Sequence, residues 1–267
     1  MDRLTQAARL LRATGTFFGV TVEKTHVPVV SALHTATGRR VQIHCGVKPH
    51  SSLEYVLNYK TEFPTLRPLY IAMRMILETR NMLGADQQTV DTYGLTMMIV
   101  AALKLGEGKF DRLDLGRQFL HVLRFYEEAK LRRHGISVDP PGLFRKRAHA
   151  QGPKTDQPPH VRGQLSIGKK SLTRGNDLLC LQDPADFMHD LGIASLSSLR
   201  LQQVLGAVHT DVLRGLRAWD GEAEGGNEIV PAAAVADSER PSLLRFALGS
   251  NYDRIETLRD KAIFEAA

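Results

Sequence analysis

Eight Lys or Arg residues crowd the stretch RKRAHAQGPKTDQPPHVRGQLSIGKKSLTRGN, Arg145 to Asn176, against the single acid Asp156. Cations at that density can capture a polyanion, so nucleic acid is one reading; a solvated insertion accounts for the run equally well. Scattered Pro and Gly make the segment read as a mobile basic loop. The whole chain leans the same way: 267 residues carry a formal charge of +6 and a pI near 9.4, which favours an anionic partner. Elsewhere, Arg74 offers a guanidinium suited to phosphate oxygens, although a solvated charge on a helix face is the plain alternative. Asp91-Thr92-Tyr93 places a hydroxyl and an aromatic ring just before an apolar run, where a buried core tyrosine is the default. In LCLQDPADFMHDLG, Asp183-Pro184 and Asp190 to Gly192 read as turn and capping residues. Cys45 and Cys180 are the only cysteines, both in apolar contexts, which supports neither a disulfide framework nor a Cys-based zinc site and fits a reducing compartment.

Those groups need elements to hold them. Leu4, Ala7, Ala8 and Leu11 share one face of an expected helix, and Thr16 to Val22 follows as a strand. The stretch VPVVSALHTATGRRVQIHCG, Val27 to Gly46, reads as a hairpin. Val41, Ile43 and Cys45 alternate with Arg40, Gln42 and His44, and Gly38 is free to take positive φ in the turn. From Pro49 onward the pattern is helical. One helix ends near Tyr59, and a second starts at Pro64 to Pro68 with the stripe Leu69, Met73, Ile76 and Leu77. Val90 to Leu105 is apolar almost all round and therefore buried. Leu115 to Leu131, Leu196 to Trp219 and Leu243 to Lys261 complete the helices. No run approaches eighteen apolar residues, so no membrane partner is expected; Met1 to Gly15 lacks a signal-peptide pattern, and Thr5 to Thr14 reads as an amphipathic helix in preference to a transit peptide.

Three ordered stretches then carry a resemblance: TLRPLYIAMRMIL, VDTYGLTMMIV and LCLQDPADFMHDLG. Together they resemble the noncanonical poly(A) polymerases, the terminal nucleotidyltransferases that extend RNA 3′ ends. The likeness spans roughly Val27 to Leu216, and the tail LLRFALGSNYDRIETLRD is similar to the family's closing segment. It implies an α+β, mostly helical fold in which a partial palm hairpin (1–46) precedes a helical poly(A)-polymerase-associated central domain (47–144). The basic mobile insertion (145–177), the nucleotide-recognition loop with its return helix (178–219) and a linker with a C-terminal helix (220–267) follow. Residue by residue, the resemblance implies that Arg74 stands where a lysine reaches the triphosphate. Thr92 keeps a phosphate-touching hydroxyl, and Tyr93 keeps the ring that stacks on the base. Gln182-Asp183-Pro184 and His189-Asp190-Leu191-Gly192 match the recognition loop, with Gln for Glu and His for Asn at positions expected to face the base edge, which opens the choice between ATP and UTP.

Phosphoryl transfer by this family uses Mg2+ or Mn2+ held by three aspartates. Two belong to a D-x-D pair after a G-S turn, yet Asp2 is the only aspartate in Met1 to His26, and no serine follows Gly15 or Gly19. At the third position stands Gln42, which can neither carry the charge nor accept the proton. His44, on the same strand face, suits a softer metal than magnesium. The expectation is an N-terminally truncated or degenerate family member, inactive as given, with no intact catalytic residue and no bound metal. The alternative is a non-catalytic RNA-binding or adaptor protein on the same helical domain, in which Arg145, Lys146, Arg147, Lys169, Lys170 and Arg174 contact RNA. A helical domain unrelated to RNA is the third reading. Kinship implies ATP or UTP, RNA and RNA-surveillance proteins as partners and a nuclear location, with mitochondrion and cytoplasm left open.

Overall fold

The computed structural model describes residues 2–23, 28–44, 51–83, 89–146, 156–174, 177–192, 197–219, 242–253 and 255–257. The chain forms two compact units, residues 1–54 and 55–267. In the first, helix α1 (Asp2–Ala13) lies on an antiparallel sheet of β1 (Phe17–Glu23), β2 (Val29–His34) and β3 (Arg40–His44), in that order. Leu4 and Ala8 of α1 meet Val20, Val30 and Ala32 in a small core, with Ala7 and Leu11 alongside, as the helical stripe predicts. The hairpin register pairs Val30 with Ile43, Ser31 with Gln42 and Ala32 with Val41. Gly38 takes φ +62° in the turn, where a side chain would be strained. Cys45 and the end of the expected hairpin lie outside the described residues.

The second unit is built around α4 (Thr92–Leu105), whose residues from Gly94 to Leu103 are all buried. Helices that bury every face need neighbours on every side. Here α3 (Leu66–Glu78) and α5 (Leu115–Glu128) pack on α4, α7 (Ser198–Trp219) packs on α5, and α8 (Leu243–Leu248) closes against α7 and α3; α2 (Ser51–Glu62) starts the series. Tyr126 of α5, fully buried, donates its hydroxyl to the Met98 carbonyl of α4 at 2.9 Å, so the largest core side chain leaves no orphan polar group.

Two expectations are corrected. The segment read as a mobile loop contains a 16-residue helix, α6 (Pro159–Arg174). Its buried Gly163, Ile167, Gly168 and Ser171 share one face, and the smallness of the two glycines and Ser171 is what lets the backbone dock; charge and glycine content hid that face in the sequence. Pro159 opens the helix, where its missing N–H costs nothing. α6 rests on a second sheet that the periodicity did not reveal, β4 (His134–Ser137), β5 (Gly142–Arg145) and β6 (Leu181–Gln182), in the order β5-β4-β6 with β6 parallel to β4. Strands of two to four residues are too short to display alternation. The expected closing helix from Leu243 to Lys261 is interrupted: α8 ends at Leu248, where Gly249 adopts φ +59° and turns the chain into a short 3₁₀ turn, Gly249–Asn251, and helical backbone resumes at Tyr252, Asp253 and 255–257, with the remainder outside the described residues.

Candidate functional site

The start of α4 and the loop after β6 come together through one carboxylate. Asp91 caps α4, its side chain accepting the Gly94 N–H, and this fixes Thr92 and Tyr93 in the first turn. Thr92 is exposed. Tyr93 reaches across 90 residues of sequence to donate its hydroxyl to Oδ1 of Asp183 at 2.9 Å. Burial, and then the charge of Asp183, push the Tyr93 phenol well above its ordinary value, so it stays protonated and stays a donor. The other oxygen, Oδ2, lies 3.0 Å from Nδ1 of His189. A carboxylate only accepts, so Nδ1 carries the proton and Nε2 is left on a side chain that is half exposed. Tyr93, Asp183 and His189 therefore form one hydrogen-bonded row with an aromatic ring at one end and a half-exposed imidazole at the other.

The loop that carries Asp183 and His189 is tightly tied. Asp183 also accepts the Ala185 N–H, its own N–H reaches the His189 carbonyl, and the His189 N–H reaches the Asp186 carbonyl. Gln182, expected at the base edge, is instead 1% exposed and fully used. Its Oε1 accepts the Ser137 hydroxyl at 2.9 Å, while its Nε2 donates to the carbonyls of His160 and Phe187 at 2.9 and 3.0 Å. It joins β4, α6 and the loop and presents nothing to a ligand. Asp190 is likewise buried; its Oδ1 accepts the N–H groups of Leu181 and Gly192, both at 2.9 Å. Desolvation raises the Asp190 pKa, opposed by those two donors and by Lys146. The turn and capping reading of Asp190 is the one its contacts match.

Sequence reasoning missed the residues behind the loop: Ser137, His160 and Gly163. A Cβ on Gly163 would sit 2.1 Å from the Phe187 carbonyl oxygen and 2.5 Å from Nε2 of Gln182, so only glycine lets α6 approach. A glycine within an otherwise helical pattern was the available signal.

Arg74 lies on the exposed side of α3. Its guanidinium meets Glu78 at 3.2 Å and the Tyr70 hydroxyl at 3.3 Å, and no hydrogen bond or ion pair to Tyr93, Asp183 or His189 is seen among the described residues. An exposed i,i+4 pair is worth only about 0.3–0.5 kcal/mol, so a phosphate can displace it. The basic residues grouped in the sequence do not form one surface. Lys146 is 5% exposed, and its Nζ donates to the Leu178 carbonyl at 2.8 Å, which removes it as an RNA contact; burial lowers its pKa. Arg145 is exposed on the strand position that alternates with Phe144, whose ring packs at Gly168 of α6, so Arg145 points away from the helix. Lys169, Lys170 and Arg174 are exposed on α6 itself. Arg147 lies outside the described residues.

Gln42 is exposed on β3, and its Nε2 donates to the Ser31 hydroxyl at 3.2 Å. Among the described residues no three His, Cys, Asp or Glu side chains are grouped so as to hold a metal ion. A neutral amide beside a hydroxyl does not fit Mg2+ as a carboxylate set does.

Comparison with known proteins gives a consistent fold. No protein-family model matches the sequence, and no curated protein compared with it matches. Among solved structures, the polymerase core of TRAMP, an RNA surveillance complex, is similar with a TM-score of 0.68 at 13% identity, over 93% of this chain and 71% of that one. Terminal uridylyl transferase 4 from Trypanosoma brucei, with bound UPU, gives 0.58 at 18% identity, over 78% and 71%. The Cid1 poly(U) polymerase with Mg 3′-dATP gives 0.55 at 14% identity, over 84% and 73%. Likeness at these identities is a statement about fold.

Proposed function

We propose, for a chain that has the fold of the noncanonical poly(A) polymerases and terminal nucleotidyltransferases, that the row Tyr93–Asp183–His189 is the base-binding end of a nucleoside triphosphate pocket. The observation that carries the reading is the 2.9 Å bond from Tyr93 to Asp183, which locks the loop against α4 before any ligand arrives. The Tyr93 ring supplies a stacking surface, worth about 1–3 kcal/mol per base. Nε2 of His189 supplies one polar contact to the base edge. Thr92, exposed at the start of α4, supplies a hydroxyl for phosphate, and Arg74 supplies a guanidinium once it leaves Glu78. Asp91 opposes them: a carboxylate capping the helix repels phosphate from the same N-terminus.

The reaction of this fold's RNA-extending members is attack of an RNA 3′ hydroxyl on the α-phosphorus with loss of pyrophosphate. Gln42 stands where a carboxylate is needed, and we infer that this chain alone binds a nucleotide without transferring it. The test pairs two assays on the full chain. Incubation of labelled RNA with ATP or UTP and Mg2+ or Mn2+ should give no extension above a no-enzyme control. Titration of either triphosphate should show binding that weakens roughly threefold to tenfold in Arg74→Ala, consistent with about 1 kcal/mol for an exposed charged contact. Extension by the pure chain overturns the inactive reading, and absence of any nucleotide binding overturns the pocket.

A further inference from the structure

Helix α6 carries four cations that no described acid neutralises, three of them exposed in its last two turns. Arg162 and Lys169, seven apart, lie on the side opposite the buried Gly163, Ile167 and Ser171, while Lys170 and Arg174, i+3 and i+7 from Ile167, are exposed at the C-terminal end of the helix on the edge of its packed face. The helix PHVRGQLSIGKKSLTR contains no Asp or Glu, and none of its four Lys or Arg side chains is in an ion pair with a described residue. Lys170 and Arg174, four apart, repel each other in the free protein, a cost that an anion lying across both would remove.

The N-terminal end of the same helix borders a cavity of about 450 Å³, lined by Pro159, Arg162, Ala185, Asp186, Phe187 and Met188. It is larger than one nucleobase and carries an apolar floor: Met188 is 49% exposed, and the Phe187 ring lies edge-on to His160 with centroids 6.2 Å apart. Arg162 adds an Nε that is buried without a hydrogen-bond partner, an unmet donor at the rim. From this cavity to Arg174 the helix runs about 24 Å, the span of several nucleotides.

We infer that α6 binds single-stranded RNA, with phosphates on Lys169, Lys170 and Arg174 and a base in the cavity against Phe187. A positive track beside a ring-lined pocket is how single strands are held without sequence preference. The choice of RNA over another polyanion rests on the function proposed above; the surface itself does not depend on the nucleotide pocket. Because the loop 185–188 continues into His189, RNA held here leads toward the nucleotide.

The test is fluorescence anisotropy of the full chain with a labelled single-stranded oligo(A) RNA and no nucleotide present, across a salt series. The combined variant Lys169→Ala, Lys170→Ala and Arg174→Ala should bind at least about tenfold more weakly at about 0.1 M salt, and its log–log salt slope should be shallower by about 2, as expected for three lost phosphate contacts. Phe187→Ala should weaken binding about fivefold or more with the slope unchanged. Lysine-to-arginine replacement at 169 and 170 should retain binding, and circular dichroism should show α6 variants folded. Equal RNA affinity in parent and triple variant, or equal displacement of RNA by a poly-glutamate peptide, overturns the inference; the second outcome points to an acidic protein. ATP and UTP titration of the triple variant should match the parent. Loss of RNA binding in a chain that never bound nucleotide leaves this surface standing while the pocket falls.

Discussion

Gly163→Ala pits helix propensity against packing, and the structure says which wins. Alanine in a helix interior is favoured over glycine by about 1 kcal/mol, so on propensity alone the change stabilises. The new Cβ, however, would lie 2.1 Å from the Phe187 oxygen and 2.5 Å from Nε2 of Gln182. Neither is the free end of a surface side chain: one is backbone, and the other is held at 2.9 and 3.0 Å by two carbonyls. Relieving the contact needs a shift of more than an ångström at α6, which breaks the bond from Gln182 to the His160 carbonyl and opens the packing beneath buried Ile167 and Ser171. One lost bond at about 1 kcal/mol, with a further 1–3 kcal/mol for the loosened buried contacts, outweighs the propensity gain. The net expectation is destabilisation by about 1–3 kcal/mol. Urea unfolding reads it directly, with Gly116→Ala as the control. Gly116 lies exposed in the first turn of α5, and an added Cβ there meets only Oδ1 of Asp114 at 3.8 Å, so it should stabilise by up to about 1 kcal/mol. Equal midpoints for the two variants, or Gly163→Ala above the parent, would refute the packing argument.

Lys146→Met should lower stability by about 1–3 kcal/mol, since it removes the bond to the Leu178 carbonyl, while leaving RNA affinity in the anisotropy assay unchanged. Unchanged stability with weakened RNA binding would restore Lys146 as a surface contact. For Asp190, burial raises the folded pKa above the unfolded value, so its contribution to stability is fully present below the unfolded pKa and is lost as pH rises through the folded one. Asn keeps the oxygen that accepts from Leu181 and Gly192 and removes the charge. The stability of the parent minus that of Asp190→Asn should therefore fall from about pH 4 upward, and a difference that rises instead would reverse the sign assigned to burial.

The elements that position the site were legible where they are long. The all-apolar run of α4 and the stripe on α3 could only be buried helices, and Gly38 marked the hairpin turn that forms. Shorter features were not. HGIS and GLFR carry too few residues for a period to emerge, and α6 was masked by its own cations, because charge counting does not ask which face they occupy. At the site, the motifs located Tyr93, Asp183 and His189, which do meet. The motifs did not say that Gln182 faces inward. A polar side chain in a two-residue strand can turn to either side, and the deciding partners, Ser137 and the carbonyls of His160 and Phe187, come from elements the sequence left unpredicted.

The most direct test of the pocket is calorimetric titration of ATP and UTP into the parent, Tyr93→Phe and Tyr93→Ala. Phenylalanine keeps the ring but loses the bond to Asp183, so affinity should fall by only about 1 kcal/mol, whereas alanine should cost about 1–3 kcal/mol more through the lost stacking surface. Binding in that order, parent, then phenylalanine, then alanine, is the predicted result. Identical binding by all three, or none by the parent, contradicts a nucleotide site at Tyr93.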